Sequence, residues 1–192
     1  MSTTGRTTPE SDAARTNAFH VRAAHPGDIP ALMRLKYLLA QGENAPHVVR
    51  ATEAHWLRDG FGPGAGFCAF VAERSGFGNP VAGNSIVGMA TCSRRVITGW
   101  DGPIVYLQDL FVEPDCRQFG IAKALMARVA AFAREIGSPI VELTVRSDNG
   151  AAQSFYRGAG CTPLPHCLTY VLAGAALAEL ADRDETALAL AG

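Results

Sequence analysis

Two stretches of this sequence combine residue types that chemistry could use. The first is Arg117-Gln118-Phe119-Gly120-Ile121-Ala122, followed by Lys123, in which small residues at the fourth and sixth positions let the backbone approach a bulky anion. A helix starting here would leave its first N–H groups without intrahelical acceptors, and its dipole would favour negative charge. The turn can therefore seat a pyrophosphate, with Arg117 and Lys123 as side-chain cations that pair with phosphate oxygens. An ordinary strand-to-helix connection, with Gly120 present for packing alone, has the same local sequence. The stretch lacks the G-x-x-x-x-G-K-[ST] of a P-loop and the G-x-G-x-x-G of a dinucleotide fold, which disfavours ATP and NAD.

The second stretch is Asn149-Gly150-Ala151-Ala152-Gln153-Ser154-Phe155-Tyr156-Arg157. Asp148 or Asn149 can cap a short helix there, and Gly158 or Gly160 can end it, so a phenol sits near the helix C-terminus. A phenol with a pKa of about 10 can give its proton to a departing thiolate held against it, which makes Tyr156 a candidate general acid. A core aromatic beside Phe155 would have the same spacing. His20, His25, His47, His55 and His166 show no metal spacing. Cys116 lies next to Arg117, which could lower its pKa, but a plain structural cysteine accounts for it equally well.

These residues need elements to hold them. A short strand over Phe19 to Arg22 leads through His25-Pro26-Gly27-Asp28 into a helix with Ile29, Leu32, Met33, Leu35 and Leu39 at helical spacing, ended by Gly42. Thr52 caps a second short helix through Trp56 and Leu57, and Asp59-Gly60-Phe61-Gly62-Pro63 breaks it. Phe67 to Glu73 and Ser85 to Thr91 read as strands joined by a long loop containing Gly76, Gly78, Pro80, Gly83 and Asn84. Ile104 to Val112 is a strand between Gly102-Pro103 and Glu113-Pro114. The helix from Gly120 to Ile136 turns Ile121, Leu125, Val129, Phe132 and Ile136 inward. Strands at Pro139 to Val145 and Cys167 to Leu172 flank a helix over Gly150 to Arg157, and the alanine-rich tail from Gly174 can add a helix. This order predicts an α+β (α/β) sheet of mixed direction.

Length and composition fit one such domain. The 192 residues are 48% hydrophobic and 18% charged, and 17 basic against 18 acidic residues leave a net charge of -1. That balance gives no long-range attraction to nucleic acid or to an anionic membrane. Five cysteines, an odd number without a C-x-x-C pair, argue against a disulfide framework and a zinc site. With no signal peptide and no apolar run long enough to cross a bilayer, a cytoplasmic location is expected. Residues 1–18 read as a disordered tail, 19–173 as the domain and 174–192 as a tail or helix.

Taken together, Tyr106-Leu107-Gln108-Asp109-Leu110-Phe111-Val112-Glu113-Pro114, Arg117 to Ala122 and Asn149 to Gly160 resemble the GNAT acetyltransferase superfamily, whose cofactor motif is R/Q-x-x-G-x-G/A. Within it the chain is similar to the spermidine/spermine (diamine) and thialysine N-acetyltransferases, including at Thr52-Glu53 through Gly62, Val71-Ala72-Glu73 and Ser85 to Gly88. The resemblance implies a mixed central sheet with two parallel strands that splay apart around the pantetheine arm of acetyl-CoA, flanked by helices. It also implies direct transfer of the acetyl group to an amine and a homodimer, while the histidine and cysteine spacing predicts no metal. By carry-over, Leu110, Phe111 and Val112 would meet the acetyl and pantetheine region. Arg117, Gln118, Phe119, Gly120, Ile121, Ala122 and Lys123 would hold the pyrophosphate, Asn149 the pantetheine, and Tyr156 would protonate the coenzyme A thiolate.

One departure matters. Polyamine-type relatives carry Y-L-E-D, whose Glu helps to deprotonate the incoming ammonium through water, and this chain has Gln108 instead. An amide cannot take that proton. Asp109 is a candidate for binding the substrate ammonium and for assisting proton removal, although strand alternation turns it away from Gln108; a local structural partner would account for it equally well. Between Gln41 and Arg50 the acid-rich stretch of these relatives is reduced to Glu43. The expected activity is N-acetylation of a small-molecule primary amine, a polyamine, diamine or lysine analogue, with Tyr156 and Gln108 at the reacting centre. The rivals are a non-catalytic acyl-CoA-binding module and an acetyltransferase acting on protein lysines or N-termini.

Overall fold

Five strands lie in chain order in one sheet: β1 (Phe19–Ala23), β2 (Phe67–Arg74), β3 (Ile86–Val96), β4 (Pro103–Val112) and β5 (Val141–Leu143). The first three pairings are antiparallel and the last, between β4 and β5, is parallel. The computed structural model describes residues 19–74, 86–99 and 101–181, and the chain divides after Ser147 into two compact units. The predicted tail over 1–18, the loop from Gly76 to Asn84 and the end of the alanine-rich tail lie outside the described residues.

In the first unit, helix α1 (Ile29–Gly42) follows β1, and α2 (Glu53–Trp56) continues as a π-helical turn, Leu57–Phe61. Thr52 caps α2 by accepting from the His55 N–H, as its residue type suggests. The helical run carries on through Gly60 and stops at Gly62, where the backbone becomes extended. Helix α3 (Ile121–Glu135) crosses from β4 to β5. Ala69, Val71 and Met89 cluster with Ile29, Leu32, Leu35 and Trp56, whereas Phe70 meets Phe132 of α3 at 5.8 Å between ring centroids. Neighbouring strand residues face opposite ways, so α1 and α3 cover opposite faces of the sheet. Burial on both faces is why β2 and β3 read as nearly continuous apolar runs.

The buried stripe of α3 is Ile121, Leu125, Val129 and Ala133. The expected Phe132 and Ile136 are half-buried; Phe132 still faces the sheet, where its ring meets Phe70. The stripe lies close on β3, where a Cβ on Gly88 would come within 3.2 Å of Ile121 and Leu125.

A buried ion pair fixes the entry to α1. Both terminal nitrogens of Arg22 donate to Asp28, at 2.6 and 2.9 Å, the His25 N–H donates to the same carboxylate at 2.9 Å, and Arg22 Nε reaches Glu73 at 3.1 Å. Burial by itself would push the Asp28 carboxyl up; the Arg22 guanidinium and the His25 amide overcome it and hold the group below the ordinary carboxylate range. A depressed folded pKa gives stability that is complete above the unfolded value of about 3.9 and is lost as pH falls through the folded one. Asp28→Asn should therefore cost about 3 kcal/mol in urea unfolding at pH 7, since one partner of a buried pair is removed. The gap to wild type should narrow as pH falls below about 3.9; a gap that does not change with pH would exclude this role.

In the second unit, α4 (Gly150–Gly158) is followed by irregular chain and by a helical stretch over 174–181. The predicted strand from Cys167 to Leu172 is not a strand, and Leu168, Tyr170 and Val171 are 76 to 87% exposed. Its apolar residues suit a strand, but a strand needs an edge to pair with, and this unit has only helices among its described elements. No described helix is long and apolar enough to cross a membrane.

Candidate active site

Strand β4 carries the site. Its pairing with β5 is limited to Val105 through Leu107 against Val141 through Leu143, where the sequence predicted a longer strand from Pro139 to Val145. Past Leu107 the two strands part, and β4 continues to Val112 with β3 alone beside it. The β5-facing edge of Gln108, Leu110 and their neighbours thus offers backbone groups that no strand uses, which suits an extended amide-containing arm.

At the parting point the β3 register slips. Thr91 pairs with Asp109 and Cys92 with Leu107, leaving Gln108 as the extra residue of a bulge. Strict alternation would put Gln108 and Asp109 on opposite faces; the bulge instead turns Tyr106, Gln108 and Asp109 into one cleft of about 380 Å³. The expectation that Asp109 faces away from Gln108 is corrected by that inserted residue. Lys36 of α1, the segment Val48 to Ala51, His55, Trp56 and Asp59, Phe67 of β2 and Thr91 of β3 complete the walls. Trp56 and Phe67 meet edge to face at 5.2 Å.

The cleft carboxylates already have partners. Lys36 Nζ lies 2.5 Å from Asp109 Oδ1, and the Thr91 hydroxyl donates to Oδ2 at 2.7 Å. Arg58 grips Asp59 with two nitrogens, at 2.5 and 2.7 Å. Sequence reasoning missed Lys36, although a signal existed: it is a cation set one turn beyond Leu32 and Met33 in an otherwise apolar stripe. Tyr106 bonds Thr144 at 3.0 Å through its hydroxyl. Gln108 itself is exposed.

At the far end of β4 the chain turns through Pro114–Cys116 into α3. Gln118 and Gly120 both take positive φ, 67° and 82°, so the amides between them form a concave nest that runs into the helix start. No acceptor among the described residues takes the N–H groups of Gln118, Phe119, Gly120, Ile121, Ala122 or Lys123. Arg117 folds back, with Nε donating to the Val112 carbonyl at 3.0 Å. Phe119 lies under the Arg74 guanidinium, 4.9 Å from its ring centroid. Phe111 and Val112 are buried, Phe111 within the core cluster. Cys116 is buried and accepts from Arg74 at 3.4 Å.

In the second unit, Asn149 caps α4 by accepting from the Ala152 N–H at 3.0 Å. Its amide nitrogen remains available as a donor. Tyr156 is half-buried and meets Phe155 edge-on at 5.3 Å. Among the described residues no group of three or more His, Cys, Asp or Glu is gathered as a metal site would require.

The Acetyltransferase (GNAT) family matches residues 36–161 of this chain. The thialysine N-epsilon-acetyltransferase of Mus musculus is 31% identical over 166 residues, which cover 85% of this chain and 97% of that protein. The spermidine/spermine N(1)-acetyltransferase-like protein 1 of Homo sapiens is 30% identical over 146 residues, 76% of this chain and 21% of its own length. A solved aminoglycoside N-acetyltransferase in complex with CoA aligns with a TM-score of 0.62 and 21% identity over 80% of this chain and 94% of that one, a likeness of fold.

Proposed function

Since this chain belongs to the Acetyltransferase (GNAT) family, we propose that it moves the acetyl group of acetyl-CoA to the primary amine of a small molecule, a polyamine, a diamine or a lysine analogue. One observation carries this reading: β4 and the turn that follows it join, between Tyr106 and Lys123, a bulge-floored cleft, an unpaired strand edge and a run of unclaimed amides. The three can take an acceptor, a pantetheine arm and a diphosphate in that order along the strand. The names of the relatives support an amine acceptor, and the CoA complex of a similar fold supports the donor.

In this mechanism the acceptor enters the cleft beside Gln108 and meets the thioester carbon along the Leu110 to Val112 edge. A backbone N–H of that edge steadies the charge that builds on the thioester oxygen. The C–N bond forms, the C–S bond breaks, and the leaving sulfur takes a proton, for which we assign Tyr156 as the acid. The chain's contribution is chiefly orientation. The reading extends to a homodimer in the cytoplasm, supported by the polyamine-type resemblance and by five free cysteines; sedimentation of the purified chain tests the first part.

The test is thiol release from acetyl-CoA across polyamines, diamines, lysine analogues and peptides, run beside calorimetry of the donor. Binding of acetyl-CoA without release for any amine would instead establish a non-catalytic acyl-CoA-binding module, the alternative that Gln108 favours. Release with peptides alone would redirect the assignment to a protein substrate.

Gln108 also sets a pH dependence. An alkyl ammonium with a pKa near 10 is free amine in roughly one molecule per thousand at pH 7. With no carboxylate at this position, kcat/KM should climb about tenfold per pH unit until the acceptor itself titrates. Gln108→Glu should raise the pH 7 rate about tenfold or more and flatten the profile. A wild-type profile already flat from pH 7 would show that another group takes the proton.

A further inference from the structure

The charges in the acceptor cleft are spent unevenly. Its two carboxylates are both neutralised from within: Asp109 by Lys36 and the Thr91 hydroxyl, Asp59 by Arg58. Arg50, which lines the same cleft and is exposed, has no ion-pair or hydrogen-bond partner among the described residues. The Lys36 side chain is 32% exposed, and one of its three donors is committed to Asp109.

We infer that the acceptor is an amine carrying an anionic group, a carboxylate in the simplest case, and that Arg50 and Lys36 are its specificity-determining residues; the inference rests on the acetyl transfer proposed above. A second ammonium on the acceptor would need an unclaimed carboxylate. Taking Asp109 from Lys36 would leave the lysine half-buried without a counter-ion, which is costly. A carboxylate needs no such exchange, because the guanidinium of Arg50 presents a planar fork to it and the remaining donors of Lys36 face the same cleft. The pocket therefore discriminates by the sign of the acceptor's far end.

Three acceptors of equal reach separate these effects: 5-aminopentanoate, pentylamine and 1,5-diaminopentane, with negative, neutral and positive ends. Wild type should use them in that order, with kcat/KM at least about tenfold higher for the first than the last. Arg50→Gln should raise KM for 5-aminopentanoate about tenfold, with kcat held, and leave pentylamine unchanged. Lys36→Met, which frees Asp109, should move the preference toward 1,5-diaminopentane. Its fold is checked by thermal melting, and Arg50→Gln, on the exposed rim, decides the matter if Lys36→Met does not fold. A wild-type preference for the diamine, or an Arg50→Gln effect equal on all three, overturns the inference while leaving acetyl transfer standing. Absence of thiol release with any amine overturns both.

Discussion

Tyr156→Phe should lower kcat by about a hundredfold or more at pH 7 while KM for acetyl-CoA stays within about twofold, as loss of a general acid predicts. The substitution keeps the ring that packs edge-on against Phe155, so helix α4 and its Asn149 cap should survive. The pH dependence separates a proton donor from a merely structural phenol. A thiol ionises near 8.5, so above that pH the sulfur leaves comfortably as thiolate and the acid becomes dispensable. The defect should shrink as pH rises from 7 to 9.5, read from initial rates of thiol release. A deficit that stays constant across that range, or no deficit at all, would remove Tyr156 from the chemistry.

What could be read in advance divides along physical lines. Helices α1 and α3 and strand β4 were legible because local signals bound them: apolar residues every three or four positions, Gly102-Pro103 before β4 and Glu113-Pro114 after it. The Thr52 and Asn149 caps followed from residue type alone. The bulge at Gln108 was not legible, because an inserted residue shows only against its partner strand, and Thr91 and Cys92 lie some sixteen positions upstream. The bond between Lys36 and Asp109 spans 73 residues of chain and follows from α1 lying against β4. The stretch from Cys167 to Leu172 failed for the opposite reason: composition favours a strand, but pairing requires an edge that the second unit does not offer among its described elements. The parting of β4 from β5 came from family resemblance; no residue property at Leu107 or Leu143 encodes it.

Gly120→Asp should separate the stability of α3 from its anion seat. Gly120 is the N-cap of α3 at φ 82° and ψ 0°, a conformation that Asp accepts more readily than most residues. A carboxylate here stands beside the helix-start amides that would otherwise meet a diphosphate, and its charge suits the helix dipole. Folding stability should therefore change by no more than about 1 kcal/mol. Affinity for acetyl-CoA should fall at least about a hundredfold, because like charges brought together cost several kcal/mol. Gly120→Ala is the control: an added Cβ meets nothing within 4 Å, so only backbone strain of about 1 kcal/mol arises and the amides stay free for the donor. Calorimetry of acetyl-CoA with the two variants, beside their thermal melts, reads both effects. If the Asp variant binds as tightly as wild type, the amides from Gln118 to Lys123 do not hold the diphosphate, and strand β4 loses the donor that its open edge was argued to take.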